Sequence, residues 1–89
     1  MAAGDPTEIT VPAWSWTKVL TNKTSGAISV ISSRNEKWYW TQWSTGSAAP
    51  TTEKPRVELE GQTMVVDSSV AVDVYLFLSG TTAGLVRVV

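Results

Sequence analysis

The chain has 89 residues, seven Lys and Arg against eight Asp and Glu, a formal net charge of −1, five Trp, and neither Cys nor His. Without Cys and His there are no disulfides, no thiol chemistry, no ordinary zinc site and no Ser-His-Asp or Cys-His nucleophile system. The near-neutral balance builds no field that would draw phosphate backbones or anionic lipid, so neither nucleic acid nor membrane is an expected partner.

A domain of this size buries only about 60 to 65% of its unfolded surface, so its core is small and partner subunits are one route to added stability. The opening "MAAGDPTE" has neither a basic nor an apolar region of a secretory signal. The expectation is a soluble protein made in the cytoplasm, with a flexible arm over residues 1–7 and a single domain over 8–89. Asn22-Lys23-Thr24 fits the glycosylation pattern and, without a signal, is read as fortuitous.

Period-two alternation and β-branched residues fill the chain, which predicts an all-β fold. Glu8 to Val11 alternates until Pro12, and Trp14 to Leu20 resumes, with Thr17 and Val19 opposite Trp16, Lys18 and Leu20. This reads as one strand bent at Pro12. "TNKTSG" carries turn chemistry, Ala27 to Ser32 is a second strand, and "SSRNE" turns the chain into the segment "KWYWTQW" at 37–43, which holds half of its aromatic side chains.

There Trp38, Trp40 and Gln42 face one side and Tyr39, Thr41 and Trp43 the other. "STGSAAPTTEKP" reads as a long exposed loop. Val57 and Leu59 then face the core with Glu58 and Glu60 outside, Gly61 turns the chain, and Thr63 to Val66 is a strand. "DSS" reads as another turn. Val70, Val72, Val74, Leu76 and Leu78 form one apolar face, and "SGTTAG" leads to a last strand, Leu85 to Val89. A terminal hairpin pairing Leu76 with Val88 sets Arg87 over the Phe77 ring on the outer face. Six or seven short strands of this kind predict a compact antiparallel β-sandwich, with a small closed β-barrel as the alternative.

The chemistry available for catalysis is reduced to carboxylate pairs, Glu58 with Glu60 or Asp67 with Asp73, and each sits where a solvated or edge-guarding charge is expected. No loop carries the acidic cluster that calcium needs. The expectation is therefore a non-enzymatic protein with no metal and no cofactor. What the composition leaves over is aromatic surface: Trp38, Trp40, Tyr39 and Trp43 on one strand, with Tyr75, Phe77 and Arg87 beside them, exceed what one small core absorbs. Such rings serve either as a lid on a neighbouring strand or as a contact surface. Stacking on sugar rings, with Gln42, Arg34 and Glu36 nearby, and stacking on single-stranded nucleic acid are the further possibilities, the latter opposed by the acidic balance.

The order of "WTKVLTN", "GSAAPT" and the closing "VDVYLFLSGTTAGLVRVV" resembles that of small tailed-bacteriophage virion proteins, the β-sandwich accessory proteins that decorate or cement capsids or sit on head and tail. The resemblance spans most of residues 14 to 89 and rests on Trp16-Thr17, Ala48-Ala49-Pro50-Thr51 and Val74-Tyr75-Leu76. The Trp-dense strand and the "TEKPR" stretch depart from it. It implies no active site, residence in the virion, and surfaces that bind the major capsid protein, other virion subunits or copies of the same chain. The competing expectation is a free-standing carbohydrate-binding or adhesin-like module.

Overall fold

The computed structural model describes residues 7–32, 35–46, 57–59, 61 and 63–89. Among the described residues there are six strands: β1 (Thr7–Val11), β2 (Trp16–Val30), β3 (Lys37–Ser44), β4 (Val57–Glu58), β5 (Thr63–Ser79) and β6 (Gly84–Val88). They form one antiparallel sheet in the order β1-β6-β2-β5-β3-β4. The all-β sandwich expected from the patterning is thus present, although two of its strands are long rather than short.

The two long strands bend the sheet into its layers. Trp16 to Leu20 of β2 pairs with Val74 to Phe77 of β5, and Ser25 to Ser29 pairs with Thr63 to Asp67. Between Lys23↔Val72 and Ser25↔Asp67, β5 carries more residues than β2, a bulge that turns the ladder sharply. The Ser68 hydroxyl accepts from the Val70 N–H at 3.3 Å there. "DSS" and "TNKTSG" therefore form a corner in two continuous strands, where chain reversals were expected. The same local hydrogen bonding serves both uses.

The bend brings the apolar sides of both halves together. Val72, Val74, Leu76 and Leu78 meet Val11, Ile28, Val30, Val66, Val86 and Val88 in one core, completed by Trp38 and by Val19 and Leu20. The register shift between Lys18 and Leu20 turns both Val19 and Leu20 inward, against the strict alternation expected. Two residues assigned to the core lie outside it: Val70, 59% exposed at the corner, and Val57, 54% exposed on the short β4.

The expected β5–β6 hairpin does not form. Both sides of the C-terminal part of β5 are occupied, by β2 and β3, so β6 crosses to pair with β1 and with Ile28 to Val30 of β2. Val88 opposes Thr7 and Ile28, and Arg87 opposes Glu8 and Ser29, with a 2.9 Å ion pair to Glu8. Arg87 is thereby removed from Phe77. Thr7, assigned to a flexible arm, begins β1, and the rest of that arm lies outside the described residues.

Gly84 is a close-approach position in this packing. A Cβ there would lie 2.5 Å from Trp38 Cζ2 and 3.0 Å from Leu78 Cδ2, both in the core. Gly84→Ala is expected to destabilise the fold by about 1–3 kcal/mol through overpacking, read as a lower midpoint in chemical denaturation. An unchanged midpoint would mean that Trp38 has room to move.

Candidate functional site

The outer face of the central strands is built from residues that oppose one another across the ladders and therefore share a side. Trp16, Phe77 and Tyr39 stand three abreast on β2, β5 and β3, with Lys18, Tyr75 and Thr41 as the next row and Asp73 beside Trp43 below it. The assignment of Tyr39, Thr41 and Trp43 to one side, with Tyr75 and Phe77, matches this arrangement.

Phe77 is the hub. Its ring centroid lies 5.2 Å from Trp16, 5.8 Å from Trp14 and 6.4 Å from Tyr39, with interplanar angles of 51°, 83° and 59°. Phe77 and Tyr75 are consequently buried although they point away from the core, while Trp16 and Tyr39 remain half-buried and Trp14 is exposed. Edge-to-face and tilted contacts of this kind add stability beyond area burial. The Lys18 ammonium lies 5.7 Å from the Tyr75 centroid and completes the cover.

Trp14 did not stand out in the sequence. Its backbone has φ 61°, a left-handed conformation that is costly for a bulky side chain. Two hydrogen bonds hold it there: its backbone N–H donates to the Leu78 carbonyl and its indole N–H to the Gly80 carbonyl, both at 2.8 Å. Ala13 forms a parallel bridge to Leu78 at the same place. The single strand expected from Glu8 to Leu20 is thus two strands joined by a kink that carries Trp14 onto the outer face.

Asp73, expected to be a solvated charge, is 2% exposed. Its carboxylate accepts from the Asn22 N–H (2.9 Å), the Thr45 hydroxyl (2.9 Å) and the Gly46 N–H (3.3 Å), and Lys18 Nζ lies 3.7 Å away. Asn22 and Gly46 both have positive φ, 54° and 88°, so the carboxylate holds a left-handed position within β2 and a glycine turn just beyond β3. The hydrogen bond from Asn22, then that from Thr45, lower its pKa below the ordinary value; Gly46 and Lys18 add to this, and burial opposes it. This is a clamp beneath the aromatic face. Adjacent Trp43 is half-buried, and its Nε1 has no acceptor among the described residues.

The other two tryptophans of β3 face inward. Trp38 is in the core and Trp40 packs against it, so neither belongs to the outer face. Trp40 instead lines a groove of about 320 Å³ between β3, β4 and β5, with Gln42, Glu58 and Thr63 as its polar walls and Val57, Leu59, Met64 and Val65 as its apolar ones. Among the described residues no group of three acidic side chains is positioned to hold a metal ion. Arg34, Glu60 and "TEKPR" lie outside the described residues. Comparison with protein-family models, curated proteins and solved structures found no match to the chain.

Proposed function

We propose that this protein is a non-enzymatic structural subunit that attaches to a larger protein assembly through its outer aromatic face, and that the assembly is a tailed-phage virion. The observation that carries the first part is the ring cluster on Phe77, with Trp14 exposed and Trp16 and Tyr39 half-buried on the outside of an already complete core. A small domain that keeps this much aromatic surface outside its core has the make-up of an interaction site, since Trp and Tyr dominate binding hot spots. The virion setting comes from the resemblance of the motif order to phage accessory proteins, with the major capsid protein or a neighbouring copy as the partner.

Sugar binding is the weaker use of this face. A pyranose stacks on a flat surface, whereas these rings meet Phe77 at 51° to 83° and so do not share one plane. Shape-complementary packing by a protein partner suits such an uneven surface.

Competitive loading of wild-type and variant protein onto purified particles tests the proposal. Tyr39→Ala is expected to keep its β-sheet circular dichroism and to lose attachment by about 2 kcal/mol or more, as a central ring does. Arg87→Ala, on the other half of the sheet and paired with Glu8, is expected to load like wild type. Equal loading of Tyr39→Ala and wild type would take the outer face out of the interface.

A further inference from the structure

Among the described residues, the indole Nε1–H of Trp43 is a buried polar group with no hydrogen-bond partner. An indole nitrogen donates and does not accept, so the group is satisfied only by an oxygen brought to it. Asp73, which opposes Trp43 across the β3–β5 ladder, does not supply one. Its carboxylate is taken by the Asn22 N–H, the Thr45 hydroxyl and the Gly46 N–H, with Lys18 Nζ 3.7 Å away. Donors left in this state cost stability, and they concentrate where a site serves some other end.

The ring itself is only half-buried, at the last position but one of β3 and on the same outer side as Tyr39. Two demands compete there. Folding the indole against the sheet covers its carbon surface and strands the N–H, whereas turning it outward gives the N–H to water and uncovers the carbon surface. In the free subunit the first arrangement prevails. A protein partner ends the competition, because it covers the ring in either position and only the turned ring adds a hydrogen bond. That bond is the differential interaction by which a partner shifts the ring from one position to the other.

We propose that the Trp43 N–H is a donor held for the partner: on attachment the ring turns, and Nε1–H bonds a carbonyl or carboxylate oxygen of the partner protein. The proposal rests on the outer-face reading above and adds to it the chemistry of one contact. It also extends the interface along β3 and β5. From the ring cluster on Phe77, the contact runs past the row of Tyr75 and Thr41 to the border of the Asp73 clamp.

The test is the chemically synthesised 89-residue chain with β-(3-benzothienyl)alanine at position 43, in which a sulfur takes the place of the N–H and the ring keeps its shape. No hydrogen bond is lost from the free subunit by this change. Its midpoint in chemical denaturation is therefore expected to equal or exceed that of wild type. In direct competition for purified particles it is expected to load about 10-fold more weakly, because the partner's oxygen is left without its donor. A lower midpoint would show that the N–H is already bonded in the free subunit, and overturns the proposal. Loading equal to wild type overturns it as well. Tyr39→Ala, run beside the analogue, separates the two readings. Weak loading by Tyr39→Ala with normal loading by the analogue removes the Trp43 donor alone. Normal loading by both, or a wild type that does not load, removes the outer face and the donor with it.

Discussion

Val74→Asp is expected to abolish folding. Val74 is fully buried, opposed by Leu20 and Gln42 on its two neighbouring strands, and flanked on its own face by Val72 and Leu76. A carboxylate placed there has no partner, and burying it costs several kcal/mol or forces it to take up a proton. The total stability of a small domain is about 5 to 10 kcal/mol, so one such group consumes most of it. Circular dichroism and a one-dimensional proton spectrum distinguish the outcomes: loss of sheet signal and of dispersed methyl resonances is expected. A soluble variant with wild-type dispersion would show that position 74 tolerates solvent and that the two faces of β5 are reversed.

The neighbouring residue is expected to show the opposite dependence. Asp73→Ala removes the acceptor for the Asn22 N–H, the Thr45 hydroxyl and the Gly46 N–H together, and leaves two positive-φ positions without the group that holds them. Hydrogen bonds to an ionised group are among the stronger ones, and donors left without partners add their own cost. A fall in Tm on the order of 10 °C is expected for a chain of this length. The pH dependence follows from the direction of the pKa shift. The folded-state pKa lies below the unfolded value of about 3.9, so the carboxylate's contribution is complete above that value and is lost as pH falls through the depressed folded-state pKa. The Tm gap between wild type and Asp73→Ala should therefore be constant from neutral pH down to about 4 and narrow in stronger acid. A gap that widened on acidification would mean that Asp73 is folded in its protonated form.

The faces of the strands were legible because the side-chain period in a strand is two whatever its neighbours are. Tyr39, Thr41 and Trp43 fall on the side of Tyr75 and Phe77, and Val72, Val74, Leu76 and Leu78 on the other, as the alternation states. Strand order was not legible, because it is decided by non-local pairing. Leu85 to Val89 follows β5 in the chain, yet both flanks of β5 were already taken, and Arg87 went to Glu8 instead of Phe77. Turn-forming residues misled for a related reason. Asn22 and Ser68 bend two long strands at one corner, and nothing local separates a corner from a reversal. Asp73 had the sequence environment of a surface charge, and its burial depends on Asn22, Thr45 and Gly46, which are distant in the chain. Trp14 had no signal of its own, since its left-handed backbone is imposed by Leu78 and Gly80, which are distant in the chain.

The proposed place of the aromatic outer face inside a virion assembly is tested most directly by the copy number of this chain in purified particles. Quantitative mass spectrometry of particles, with labelled peptides from this chain and from the major capsid protein as standards, gives that number. A fixed ratio to the capsid protein, unchanged after repeated gradient purification and reduced in particles assembled with Tyr39→Ala, is the expected result. A chain that is absent from the particles, or whose amount falls with each purification step, would contradict the claim.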